Sequence, residues 1–251
     1  MINLLRADFY KLRRSKSFFI CLGILAVIVI YIMIDFSSSA HIKEQFSPSN
    51  LHWIYMFFNE KSFFPYFVPL FQAIFTTMLI TSEYNTGTIK DSVSLGFSRR
   101  KIYMSKLITV SIGSILMMLA AIFSIVITSI FVFGIYGSFS TYDLLLLLRM
   151  FLIQILLYTA YGSIFLMIAF LIKNIGGTMA FGIFFSLIIG SLGSLIGDGY
   201  LARILLFKNF SPTAVPHPQA VDLRIAIAVG LAYLILCSGI GGITFKKQDI
   251  K

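Results

Sequence analysis

Two long apolar runs of this 251-residue chain are separated by a polar segment, Ser82–Lys106, which reads SEYNTGTIKDSVSLGFSRRKIYMSK. The segment holds two acidic and five basic residues, whereas the runs on either side are long and apolar enough to cross a lipid bilayer as helices. We therefore predict that the polar segment joins two membrane-spanning helices. A polar stretch of this size beside the membrane is a place where another molecule can bind the protein.

The composition is that of an integral membrane protein. Hydrophobic residues make up 58% of the sequence and charged residues 12%, against roughly 45–50% and 25% in soluble domains. The mean hydropathy is +0.92. The length suits about six spans of roughly 20 residues with short connections, which leaves little room for a separate soluble domain. We predict a single all-α transmembrane domain over residues 1–251.

Apolar runs predict the positions of six spans, near residues 18–36, 63–81, 107–133, 145–172, 176–196 and 223–245. Between the last two spans, the run Leu201–Phe207 is apolar but too short to cross the bilayer. Pro212, Pro216 and Pro218 follow it and interrupt any longer helix. We predict a short re-entrant or interfacial helix in this connection.

The first 17 residues predict an amphipathic helix that lies on the membrane surface. Its apolar residues recur at helical spacing, while most of its basic residues fall elsewhere around the helix. The apolar positions are Ile2, Leu5, Phe9 and Leu12. The alternative is a plain charged anchor before the first span.

Basic residues predict the orientation, because Lys and Arg collect on the cytoplasmic side of membrane proteins. With the N-terminus inside, 14 of the 20 Lys and Arg residues fall in cytoplasmic segments. Both termini and the polar segment are then cytoplasmic. The net charge of +10 follows from this topology and does not indicate nucleic-acid binding, since the basic residues are scattered between apolar runs.

Several kinds of chemistry have no motif in this sequence. It contains neither the phosphate-binding G-x-x-x-x-G-K-[ST] nor the zinc-binding H-E-x-x-H, and no His/Cys cluster at metal spacing. No acidic residue falls in the middle of a predicted span, whereas ion-coupled transporters usually carry ionisable groups there. We therefore expect no cofactor in this chain and no enzymatic activity, and the missing ionisable groups weaken the case for a proton- or sodium-coupled secondary transporter. Cys21 and Cys237 fall in apolar runs and are expected to be free thiols.

The polar segment resembles the cytoplasmic loop of ABC transporter permeases of the type-2 exporter class. In that class an E-x-x-x-G-T run, followed by basic and aliphatic residues, lies between the second and third spans. Glu83, Gly87 and Thr88 match this run, and Arg99–Lys106 supplies the basic continuation. The predicted order of helices resembles the class over nearly the whole chain. Small bacterial permeases for bacitracin or lantibiotic resistance, amphipathic-peptide export and sodium efflux are the most similar in kind.

The resemblance implies partners and a location. Two permease subunits, identical or homologous, would meet in the bacterial plasma membrane, and two separate cytoplasmic ATPase subunits would bind ATP and Mg²⁺. The polar segment would form a coupling helix seated on the ATPase. The residues assigned to this contact are Glu83, Gly87, Thr88, Lys90, Arg99, Arg100 and Lys101. From the residues alone, Gly87 permits a tight turn, the basic run equally suits ordinary cytoplasmic topology, and Glu83 equally suits a solvated helix end.

In such permeases the second and fifth spans line the transport path. The path residues expected here are Gln72, Phe75, Thr76, Phe184 and Phe185. Helix packing and contact with lipid are equally good accounts of each. We expect export of an amphipathic or antimicrobial peptide or a similar lipid-seeking compound. Sodium efflux, secondary transport and a regulatory membrane protein without transport activity are the alternatives.

Overall fold

The computed structural model describes residues 1–38, 54, 64–133, 141–195, 202–215 and 218–248. All regular secondary structure in this part of the chain is helical. The helices, in chain order, are α1 (Ile2–Arg14), α2 (Lys16–Ser38), α3 (Phe64–Asn85), α4 (Thr88–Ser94), α5 (Arg99–Phe133), α6 (Thr141–Ile172), α7 (Ile175–Leu195), two 3₁₀ turns (Ala202–Ile204 and Leu206–Asn209), α8 (Phe210–Thr213) and α9 (Ala220–Lys247).

Four described helices, α2, α5, α6 and α9, are long and apolar enough to cross a membrane. They confirm the helices predicted for the first, third, fourth and sixth spans. The other two predicted spans coincide with the helices α3 and α7, and a shorter apolar stretch of α7 covers Ile175–Ile188. That these two also cross the membrane stays a prediction.

The helix of the third predicted span begins earlier than expected, at Arg99 rather than near residue 107. Its first residues include four of the five basic residues of the polar segment, Arg99, Arg100, Lys101 and Lys106. Lys and Arg are good helix formers, so charge marks the edge of the apolar region here and not the start of the helix. The basic run is therefore a rigid extension of α5.

Helix α6 forms the core of the bundle and contacts α3, α5 and α9. Of its most apolar stretch, 67% is buried, against 17% for α9. Close packing depends on Gly162, where a Cβ would lie 2.7 Å from Gln72 Nε2 and 3.0 Å from a methyl carbon of Val110. Helices α3 and α7 also touch closely, since a Cβ on Gly182 would lie 2.6 Å from that of Ala73.

The short helix predicted over Leu201–Phe207 takes 3₁₀ form in its described part, over Ala202–Ile204 and Leu206–Asn209, and its re-entrant or interfacial placement stays a prediction. The Asn209 amide donates hydrogen bonds to the carbonyls of Arg203 and Leu205, at 3.0 and 2.9 Å. A side chain therefore satisfies carbonyls that a longer helix would pair with its own N–H groups. Leu201 and Pro216 lie outside the described residues.

The segment after these turns folds onto α6. Phe210 is fully buried, with its ring 4.8 Å from that of Tyr158. Gln154 Nε2 donates hydrogen bonds to the Phe210 carbonyl at 3.2 Å and to Thr213 Oγ1 at 3.3 Å. Contacts with α6 therefore hold the part of this connection around Phe210 and Thr213 in place.

Candidate functional site

The N-terminal helix, the end of α3 and the start of α5 meet at four charged side chains. Lys106 Nζ lies 2.5 Å from Asp8 Oδ1 and 2.6 Å from Glu83 Oε1. Lys11 Nζ approaches the same Glu83 oxygen at 2.9 Å, and Ser105 Oγ donates a hydrogen bond to Asp8 Oδ2. We call Asp8, Lys11, Glu83 and Lys106 the four-charge cluster.

Three members of the four-charge cluster are almost completely buried, with exposed fractions of 4% for Asp8, 5% for Glu83 and 4% for Lys106. Two carboxylates face two ammonium groups, so the cluster is neutral as a whole. Removing one partner from a buried ion pair leaves an uncompensated charge and typically costs about 3–5 kcal/mol. The cluster therefore ties α1, α3 and α5 into one unit.

The prediction for the N-terminal helix is partly corrected by these contacts. Leu12 is buried and Phe9 packs against the core, but Ile2 is exposed. The buried face of α1 instead runs through Leu4, Asp8 and Leu12. A carboxylate at the centre of this face is stable because Lys106 and Ser105 bind it.

The sequence shows no local signal for this cluster. Asp8 and Lys106 are separated by 98 positions, and Lys11 and Glu83 by 72. Taken singly, Asp8 is one acidic residue in a basic helix and Lys106 is one more cytoplasmic cation. The one available clue was an acidic residue at the same helical phase as Leu4 and Leu12.

The tight turn predicted at Gly87 is confirmed. Its backbone has φ 73° and ψ 1°, in the left-handed region that glycine adopts without strain. Thr88 starts α4 directly afterwards, and its hydroxyl donates a 3.3 Å hydrogen bond to the carbonyl of Glu83. The turn therefore joins α4 to the residue that anchors the cluster.

Helix α4 is a short arm between the ends of α3 and α5. Ile89 is buried beneath it, while Lys90 and Asp91 are exposed. Leu95 follows the helix and is 76% exposed, and Gly96 then reverses the chain with φ 83°. Sequence reasoning had passed over Leu95, whose signal was a lone large apolar residue within a polar segment.

The basic residues at the start of α5 divide into two groups. Arg99 Nη1 donates hydrogen bonds to the carbonyls of Phe245 and Lys246, at 3.3 and 3.0 Å, and to that of Gln248. It thus caps the C-terminus of α9, where a cation is favourable. Arg100 and Lys101 are exposed. Contact of these residues with an ATPase stays a prediction.

Three of the expected path residues, all on α3, are buried in the core of the subunit. Gln72 is fully buried, and its Nε2 donates hydrogen bonds to Ser114 Oγ at 2.5 Å and to the Tyr158 carbonyl at 2.8 Å. The Phe75 ring packs 4.9 Å from that of Phe18. Thr76 is also buried, and neither its hydroxyl nor Gln72 Oε1 has a hydrogen-bond partner among the described residues.

The other two expected path residues lie on α7, and the structure does not bring all five together. Phe184 is 63% exposed. Phe185 is half-buried, with its ring 6.0 Å from that of Phe165. The path assignment stays a prediction. Its three α3 residues are buried in the core, whereas Phe184 on α7 is exposed.

Both cysteines, Cys21 and Cys237, are free and buried. Within the described ranges, no group of three or more His, Cys, Asp or Glu side chains is placed to hold a metal ion. The four-charge cluster and α4 are therefore the features on which a functional argument depends.

Comparison with known proteins gives the family. No curated protein matches the chain. The family model described as ABC-2 family transporter protein matches residues 4–193, about three quarters of the sequence, and so takes in the four-charge cluster and α4. The chain therefore belongs to the ABC-2 family of transporter proteins.

Proposed function

We propose that this chain is the permease subunit of an ATP-driven exporter in the bacterial plasma membrane. A second permease, identical or homologous, pairs with it, and separate cytoplasmic ATPase subunits bind ATP and Mg²⁺. The observation that carries the proposal is the exposed arm α4, held between two long helices whose ends are joined by the four-charge cluster. The family membership supports transport, and the arm supports a motor outside this chain.

The positions at which the helix ends meet support six membrane crossings. Contacts link the N-terminal helix, the polar segment, the turn after α6 and the end of α9 at one end of the bundle: Asp8 with Lys106, Arg99 with Lys246, Gln248 with Phe170, and Lys173 with Tyr84. Other contacts lie at the opposite end: Arg149 with Val215, and Arg203 with Asp222. Helices α2, α3, α5, α6, α7 and α9 then run alternately, with both termini in the cytoplasm.

The arm transmits movement through identified contacts. An ATPase that displaces α4 also displaces the Glu83 carbonyl, because Thr88 is bonded to it. Glu83 is joined to Lys106 on α5 and to Lys11 on α1. Helices α1, α3 and α5 therefore move together, as rigid-body rocking of a transporter requires. Lys90, Asp91 and Leu95 form the surface that meets the ATPase.

The favoured substrate is an amphipathic or antimicrobial peptide or a similar lipid-seeking compound. The exposed face of α7 supports it, because Phe184, Leu187 and Ile188 form an apolar stripe at helical spacing. With a second permease opposite, such a stripe lines a path that suits an apolar substrate face.

Sodium efflux is the second candidate, and a separate observation favours it. Gln72 Oε1, Thr76 Oγ1 and Thr77 Oγ1 on α3 are buried without hydrogen-bond partners among the described residues. Oxygen atoms are the ligands of hard cations. The cation would have to reach these atoms in the interior of the subunit.

Purification from native membranes in a gentle detergent tests the proposal. An ATPase is expected to copurify with the wild-type chain and to give ATP hydrolysis in the eluate. Scrambling Thr88–Phe97 should abolish copurification, whereas scrambling residues 40–52, in the connection before α3, should leave it intact. A stable, membrane-inserted wild-type chain that retains no ATPase would overturn the proposal and favour a secondary transporter or a regulatory protein.

A further inference from the structure

A groove of about 770 Å³ lies between the start of α5 and the second half of α9. Arg99, Arg100 and Lys246 lie at one end of it, and Ile235, Gly239 and Ile243 on α9 extend it along the helix. It is separate from the four-charge cluster and from the face of α7. Arg99 and Arg100 belong to the run for which ATPase contact is predicted, but the proposed ATPase surface is the arm α4 and not this groove.

The charge of the groove is strongly one-sided. Three of its lining residues are cationic, and none of the lining residues in the described part of the chain is acidic. Ser98, directly before the first residue of α5, also lines the groove, so the positive end of the helix dipole adds to the cationic end. Arg99 offsets the negative end of α9 by binding its last carbonyls. The cationic end therefore attracts a compact anion.

Apart from Ser238 and Tyr103, the rest of the lining is apolar, and the groove extends along α9 for about the thickness of one lipid leaflet. Ile235 and Lys246 are eleven residues apart on α9, about 16 Å along a helix axis, close to half of a hydrocarbon core about 30 Å thick. A Cβ on Gly239 would meet no atom within 4 Å, so there is free space in the groove beside this glycine. The lining Tyr103 side chain is 2% exposed, and its hydroxyl has no partner among the described residues.

We propose that this groove binds one anionic phospholipid from the cytoplasmic leaflet. The headgroup phosphate contacts Arg100 and Lys246, within the field of Arg99, and one acyl chain lies along Ile235, Gly239 and Ile243. Basic recesses between membrane helices at the cytoplasmic surface suit such headgroups. The inference needs only that this end of the bundle is cytoplasmic, and it does not depend on an ATPase or on the substrate.

Native mass spectrometry of the purified full-length chain, titrated with dioleoyl phosphatidylglycerol or with dioleoyl phosphatidylcholine, tests the headgroup contact. We expect one tightly retained phosphatidylglycerol and no matching phosphatidylcholine. Arg100→Gln with Lys246→Gln should weaken phosphatidylglycerol binding about 30-fold, from the contribution of two cations near the surface. The control is Lys101→Gln with Lys247→Gln, which removes equal charge from the same two helices outside the groove and should change affinity less than about threefold.

A second pair of variants tests the acyl-chain contact without changing charge. Gly239→Leu fills the free space in the groove, whereas Gly23→Leu adds the same side chain on α2, where a Cβ also meets nothing within 4 Å. Only Gly239→Leu should lower the retained phosphatidylglycerol. Equal losses in the charge pair and its control, or retention unchanged by Gly239→Leu, would overturn the proposal. The proposal would also be overturned if these groove variants lost self-association or a copurifying ATPase but retained phosphatidylglycerol unchanged. The groove would then bind a protein.

Discussion

Lys106 Nζ lies 2.6 Å from Glu83 Oε1, and this contact joins the end of α3 to the start of α5 on either side of the arm α4. Both side chains are almost completely buried, with exposed fractions of 5% for Lys106 and 7% for Glu83. The two helices that flank the arm are therefore joined twice, by the connecting chain and by a buried ion pair. Asp8 extends the contact to the N-terminal helix.

Lys106→Met is expected to destabilise the chain by about 3–5 kcal/mol, because it leaves Asp8 and Glu83 buried with only the exposed Lys11 to compensate them. Thermal unfolding in detergent measures the effect. Lys101→Met, an exposed lysine on the same helix, is the control and should change stability by less than about 0.5 kcal/mol. Equal stabilities of the two variants would show that the cluster does not hold the helices together. Asp8→Asn added to Lys106→Met should recover part of the loss.

Gly87→Val is expected to impair ATP-dependent export more than Gly87→Asn. A branched side chain in the left-handed conformation costs about 1–2 kcal/mol, whereas Asn tolerates that conformation better. The turn should then reset and move α4 relative to Glu83. Export and ATP hydrolysis, assayed together in proteoliposomes with the copurified ATPase, should separate in the Val variant. Full coupling in Gly87→Val, at normal expression, would contradict a mechanical role for the turn.

Leu95→Asp is expected to weaken ATPase binding at least about tenfold, since an exposed apolar anchor at an interface is replaced by a charge. The stability of the permease should not change, because Leu95 is 76% exposed. Quantitative pulldown with a purified ATPase subunit gives the affinity. The conservative Leu95→Met variant should bind like the wild type. An unaltered affinity for Leu95→Asp would place the ATPase contact elsewhere on the arm.

Thr76→Val distinguishes the two substrate candidates. If the buried hydroxyl of Thr76 has no ligand, its removal should raise stability by about 1 kcal/mol. Thr81→Val is the matched change, because Thr81 is equally buried but its hydroxyl donates a 2.6 Å hydrogen bond to the Thr77 carbonyl. Thermal unfolding with and without sodium measures both. A sodium-dependent stabilisation of the wild type that Thr76→Val abolishes would favour sodium efflux over peptide export.

The long apolar helices could be predicted from sequence because hydropathy and length decide them almost alone. The start of α5 could not, since the basic residues from Arg99 onward look like the edge of a span and yet continue the helix. In the connection after α7, Asn209 binds the carbonyls of Arg203 and Leu205, and the short helix there has 3₁₀ form, which the sequence did not indicate. Local side-chain hydrogen bonds of this kind depend on a backbone path that composition does not specify.

For the candidate site, the turn at Gly87 was predictable because only a few residue types accept a positive φ. The partners of Glu83 were not. Lys11 and Lys106 look like ordinary cytoplasmic cations until the fold brings them together. For Gln72 and Thr76, the sequence left the transport path and helix packing as equal accounts; both residues are buried within the subunit, and the path assignment stays a prediction.

The contact between Asp8 and Lys106 also has a consequence for how the chain is assembled. The two residues are 98 positions apart, and α2, α3 and α4 lie between them. The N-terminal helix is made first, yet its carboxylate has no buried cation to bind until α5 has been synthesised. The contact can therefore form only after α5 has been made, and it requires that α1, α3 and α5 have all reached their places.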